Sequence, residues 1–85
     1  EEEDIVEISK NKFYVDAKVE LEEFINFFQL DIDPLAVDAE TLGGFFIAEF
    51  GMLPKNGEKL KVQDLTIKVT DTDNRRIKSF EIRKA

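Results

Sequence analysis

The sequence predicts an α+β domain in which two main helices pack on one face of an antiparallel sheet that ends in a three-strand meander. Three observations lead there. Apolar residues recur with a period of 3.6 over residues 20–30 and again from Leu42 to Phe50, which reads as two amphipathic helices. After Gly57 the period falls to two, as Leu60, Val62, Leu65, Ile67 and Val69 alternate with Lys and Thr. Short β-prone runs precede the first helix, so strands bracket both helices, the order of a sheet covered on one side.

The chain opens Glu-Glu-Glu-Asp with no initiator Met. Residues 1–4 are expected to be a disordered terminus or linker, residues 5–85 one domain, and the whole a piece of something larger. Ile5-Val6-Glu7-Ile8 and Phe13-Tyr14-Val15 flank Ser9-Lys10-Asn11-Lys12, either as a hairpin or as one interrupted strand. In the first helix Leu21, Phe24, Ile25 and Phe28 form the apolar stripe, and Glu20, Glu22 and Glu23 suit the positive end of the helix dipole. Phe27 widens that stripe and predicts cover on more than one side.

Asp33-Pro34 signals a short helical turn. Asp38 is expected to cap the second helix, with Glu40 or Thr41 in its first turn and Leu42, Phe45, Phe46 and Phe50 on its stripe. Gly51 and Pro54 end it. Gln63-Asp64 and residues 71–74 are turns, and residues 75–83 form the last strand. Ile77 is out of phase with Phe80 and Ile82 there, which predicts a β-bulge near Lys78-Ser79.

Composition excludes several classes. Eighty-five residues make one domain at most. The chain has no Cys and no His, so disulfides, zinc–thiolate sites and Ser–His–Asp or Cys–His hydrolase centres cannot be written. A net charge of −7 argues against broad nucleic-acid binding and against adhesion to anionic lipid. No apolar run approaches the ~18–20 residues of a membrane span.

Site motifs are few. Asp71-x-Asp73 and Asp31-x-Asp33 fail the EF-hand pattern, so at most an adventitious Ca²⁺ is expected at surface carboxylates and no resident metal. Neither a Walker loop nor a dinucleotide fingerprint is present. No catalytic residues stand out, and no enzyme is predicted. Gly43-Gly44, inside a helix stripe, implies close approach of another backbone or of a ligand. With Thr41 they are the ligand-binding candidates. Arg75, Arg76, Lys78, Arg83 and Lys84 form a basic cluster. It reads as a solvated edge strand guarded by charge, or as a docking surface in which Arg75 and Arg76 contact an acidic partner.

Read in order, Phe13-Tyr14-Val15-Asp16, residues 19–26, Glu40-Thr41-Leu42-Gly43-Gly44-Phe45, Phe50-Gly51-Met52-Leu53-Pro54, Gly57-Glu58-Lys59-Leu60, residues 65–69 and Arg75-Arg76-Ile77 resemble the transporter-associated domain of the CorC/HlyC family. Ala17 and Asn74 stand where many members carry turn glycines, and Ala17 puts the local turn geometry in question. The resemblance implies the FAD-binding/transporter-associated domain-like fold and a C-terminal domain of a haemolysin-like membrane protein with a paired CBS module. It further implies a regulatory or assembly role in magnesium and cobalt efflux at the cytoplasmic face of the cell membrane. The implied partners are the CBS pair and membrane region of the parent chain, or further copies in a homodimer or higher oligomer. No cofactor is expected; FAD or an adenine nucleotide is implied by fold resemblance only.

Charge is unevenly divided. Residues 1–50 hold fourteen acidic and three basic side chains, and residues 51–85 hold five and nine, giving nets of −11 and +4.

Overall fold

The structure, a computed structural model, describes residues 4–85. Strands β1 (Ile5–Ser9) and β2 (Lys12–Asp16) form an antiparallel hairpin, turned at Asn11 with φ of 61°. Asn tolerates that left-handed conformation. The expected linker over residues 1–4 lies, for residues 1–3, outside the described residues. Asp4 is tied to the hairpin, its carbonyl accepting from the Asp16 N–H at 2.9 Å.

Helix α1 (Leu21–Phe28) follows, then a 3-10 turn (Pro34–Ala36), helix α2 (Leu42–Phe50), and strands β3 (Lys59–Val62), β4 (Leu65–Thr72) and β5 (Ile77–Lys84). The five strands form one antiparallel sheet in the order β1-β2-β5-β4-β3. The meander is therefore as expected, but β5 is the central strand. The edge-strand reading of the basic cluster fails, because β2 pairs with β5 from Lys12↔Arg83 to Asp16↔Ser79. Arg75 and Arg76 lie in the turn before β5, while Arg83 and Lys84 lie at its far end.

Both helices cover one face of the sheet. Val15, Leu65, Ile67, Val69, Phe80 and Ile82 point into that layer and meet Leu21, Phe24, Leu42 and Phe46, all of them essentially inaccessible to solvent. The Phe46 ring lies 5.3 Å from that of Phe80, and Phe13 stands edge-on to Phe28 at 5.0 Å. Each buried aromatic ring brings a large apolar area, which a small domain with little interior needs. Phe27 departs from expectation. It is 52% exposed, standing edge-on to Phe28 at 4.9 Å and to Phe13 at 5.8 Å with its other side in solvent.

The bulge sits where the phase of β5 predicts it. Register shifts between Val69 and Asp71 and between Asp71 and Thr72, opposite Phe80, Ser79 and Ile77, leave Thr70 and Lys78 unpaired. Ser79 is buried there, and its hydroxyl shares a 2.8 Å hydrogen bond with that of Thr70. This satisfies a polar group that would otherwise cost stability.

Candidate functional site: a groove at the start of the second helix

The two helix starts are laced to each other. Leu21 N–H donates to Glu40 O at 2.9 Å, Leu42 N–H to Val19 O at 3.0 Å, and Gly43 N–H to Ala17 O at 2.9 Å. Thr41, not Asp38, caps α2: its Oγ1 accepts from Gly44 N–H at 3.1 Å. The sequence signal was available, since Thr immediately precedes the apolar run, but Asp38 lies too far upstream to reach a helix that begins at Leu42.

The two glycines have different roles. A methyl group on Gly43 would sit 3.2 Å from both Cβ and O of Ala17, so Gly43 is a true close-approach position. On Gly44 it would meet only Thr41 Oγ1 at 3.4 Å and Ala39 Cβ at 3.6 Å, an ordinary contact. Ala17 itself is buried and keeps φ outside the left-handed region, so Ala suits its turn.

This lacing forms one wall of a half-open groove of about 370 Å³. The cap Thr41 with Gly43, Gly44 and Ile47 of α2, Ala17 and Lys18 from the β2–α1 turn, Arg76 from the turn before β5 and Lys78 from its start line it. The fold thus brings Arg76 together with all three residues proposed for ligand binding. Arg75 lies outside the groove in the same turn. Asp73 organises that turn: its Oδ1 accepts from the N–H groups of Arg75 at 2.9 Å and Arg76 at 3.0 Å, and Arg76 Nε lies 3.3 Å from Oδ2. The Arg75 N–H, with further help from Arg76, holds the Asp73 carboxyl below its ordinary value. Sequence reasoning found the two arginines and missed Asp73, which it weighed only as a calcium ligand.

What the groove can hold follows from its donors. The N–H groups of Leu42, Gly43, Gly44 and Phe45 are all spent within the chain. A nucleotide phosphate at a helix start needs those groups, so the residues present do not fit a flavin or adenine nucleotide bound in that manner. The charges lining the groove are side-chain cations, Lys18, Arg76 and Lys78, with Asp16 as the one carboxylate. Among the described residues, no three acidic side chains gather closely enough to hold a metal ion. No helix there is long and apolar enough to cross a membrane.

A five-strand antiparallel sheet with two helices on one face, and helix-start amides bonded within the chain at the groove, defines a two-layer α+β domain of the transporter-associated kind. The chain belongs to the CorC/HlyC family of transporter-associated domains, which it matches over residues 6–85. It is 35% identical over 85 residues to the magnesium and cobalt efflux protein CorC of Pasteurella multocida, covering 96% of this chain and 28% of that protein. A polyamine export protein of Salmonella typhimurium is 30% identical over 76 residues, covering 89% of this chain and 17% of its own length. The CorC-associated region from Neisseria meningitidis has the same fold, with a TM-score of 0.89 at 30% identity over 98% of this chain and 100% of that one. The chain thus spans less than a third of the curated relatives it matches.

Proposed function

We propose that this chain is a non-enzymatic assembly domain of a membrane-bound efflux protein, docking at the cytoplasmic face against the CBS pair of its parent or against a second copy. The groove carries this reading. Its cations and apolar floor sit beside helix-start amides that are already satisfied, a surface suited to an acidic protein contact. The relatives add support: one is named for magnesium and cobalt and another for polyamine, yet both match this domain. A part common to exporters of different cations serves a shared step, not cargo selection.

Arg76 at the groove mouth and Arg75 beside it are the contact residues. Reversing both charges (Arg75→Glu, Arg76→Glu) places like charges against the acidic partner and costs several kcal/mol of association. In sedimentation velocity, alone and mixed with the preceding cytoplasmic segment of the parent, the wild-type chain is expected in the heavier species and the double variant in the lighter. Equal sedimentation of the two would remove this contact.

A further inference from the structure

The sheet face turned away from the helices carries a second surface. Its register stacks side chains in two adjacent rows across all five strands. Val6, Tyr14, Glu81, Lys68 and Lys59 form one row; Ser9, Lys12, Arg83, Thr66 and Lys61 form the other. Five cations and one carboxylate share these rows. Glu81 engages Lys12 at 3.4 Å and Arg83 at 3.3 Å, whereas Lys59, Lys61 and Lys68 form no ion pair among the described residues. Lys59 stands directly opposite Lys68, an arrangement that destabilises a sheet. A groove of about 230 Å³ runs between Lys59, Lys68, Thr66, Glu81 and Arg83.

Behind this face the charge reverses. Residues 20–50, which make up the helical layer, hold eight acidic side chains and no basic one. The molecule is 27 Å across its shortest axis, so the outer helical acids lie beyond the ~8 Å Debye length of physiological salt from anything touching the sheet. A net charge of −7 therefore does not prevent the sheet face from meeting an anionic surface.

We infer that this open sheet face docks on an anionic phospholipid bilayer, with Lys59, Lys61, Lys68, Lys12 and Arg83 over the phosphates and Val6, Ile8 and Tyr14 at headgroup depth. Two observations favour lipid. The cations are four lysines and one arginine, whereas protein interfaces are depleted in lysine and enriched in arginine; flexible point charges suit mobile phosphates. The β1–β2 end of the face is apolar, with Val6 38%, Tyr14 44% and Ile8 56% exposed. A nucleic acid would leave that end without a partner, while a bilayer interface accepts tyrosine and aliphatic side chains.

Co-sedimentation of the chain with vesicles tests this without any parent protein, so it succeeds or fails independently of the assembly role. At physiological ionic strength the chain is expected to pellet with phosphatidylcholine vesicles containing phosphatidylglycerol, not with phosphatidylcholine alone, and to be released by high salt. Removing two lysines (Lys59→Gln, Lys68→Gln) should lower partitioning about 25-fold, at roughly fivefold per lysine. Tyr14→Ser should lower it without changing the salt dependence. The Lys59→Gln single variant relieves the opposed charges, so its melting temperature should match or exceed the wild type; a fall would mean that the lysines serve the fold. No pelleting with anionic vesicles, equal pelleting with neutral ones, an unaffected double variant, or tighter binding to duplex DNA or a soluble acidic protein would each overturn the inference.

Discussion

Placing alanine at Gly43 and at Gly44, one at a time, should move stability in opposite directions although the two positions are adjacent in one helix. At Gly43 the new Cβ meets Ala17 Cβ and Ala17 O, each at 3.2 Å, so one of them must retreat by a few tenths of an ångström. Ala17 is poorly placed to yield: its N–H donates to Lys78 O at 3.1 Å, and its carbonyl accepts from Gly43 itself at 2.9 Å. Overpacking of this kind costs about 1–3 kcal/mol, against up to about 1 kcal/mol gained from replacing a helical glycine. Gly43→Ala should therefore lose about 0.5–2 kcal/mol. Gly44→Ala meets only ordinary contacts and should gain about 0.5–1 kcal/mol. For a domain of this size each kcal/mol moves the midpoint by about 4–8 °C. Urea unfolding, read as a change in midpoint at constant m-value, gives the same comparison at fixed temperature. Adding Ala17→Gly to the Gly43→Ala variant removes one of its two close contacts and should recover part of the loss. If Gly43→Ala proved as stable as Gly44→Ala, or Ala17→Gly recovered nothing, the close-approach account would be wrong.

Thr41→Ala removes the side-chain acceptor for Gly44 N–H and should cost about 1 kcal/mol, readable as a thermal shift. Glu81 controls an acid limb of stability. Partial burial alone would raise its pKa, but hydrogen bonds from Arg83 and Lys12 outweigh this and hold it below its ordinary 4.5. Its contribution is therefore complete above that value and is lost as pH falls through the lower folded pKa. Glu81→Gln should flatten the decline of melting temperature below pH 4.5; an unchanged slope would assign the decline elsewhere. With the first-turn amides of α2 spent, millimolar FAD or ATP should leave the melting temperature unmoved. A ligand at about 100 times its dissociation constant would add about 2.7 kcal/mol, so a clear upward shift would reinstate nucleotide binding at this groove.

Most of the fold was legible because its signals are local. Periodicity located both helices and the meander, and the phase slip of Ile77 located the bulge. Three features were misread, and each depends on contacts between distant parts of the chain. The central place of β5 is set by β2, which lies more than sixty residues earlier and leaves no mark near Arg83. Thr41 displaced Asp38 as the cap because the main-chain bonds from residues 17–21 fix where α2 begins. Phe27 reads as core by spacing, yet the sheet beneath it ends at the hairpin and leaves half the ring in solvent. At the site, Gly43 declared itself through the cost of glycine in a helix. The meeting of Arg76 with Thr41 needed the tertiary fold, since the two are separated by most of the meander.

The central position of β5 also orders how the domain can be made. Of these five strands the β1–β2 hairpin is made first and β5 last, yet among the described residues β5 alone joins the hairpin to the meander. Until residues 77–84 are free, the chain holds two separate two-stranded ribbons, each marginal by itself, and helices whose apolar faces have no completed sheet to cover. Folding must therefore wait for the last strand and close the longest loop in the molecule, a slow topology for its size. A chain cut at Arg76 would be expected to retain no cooperative transition at all, because among the described residues the pairings that link the hairpin to the meander all run through β5.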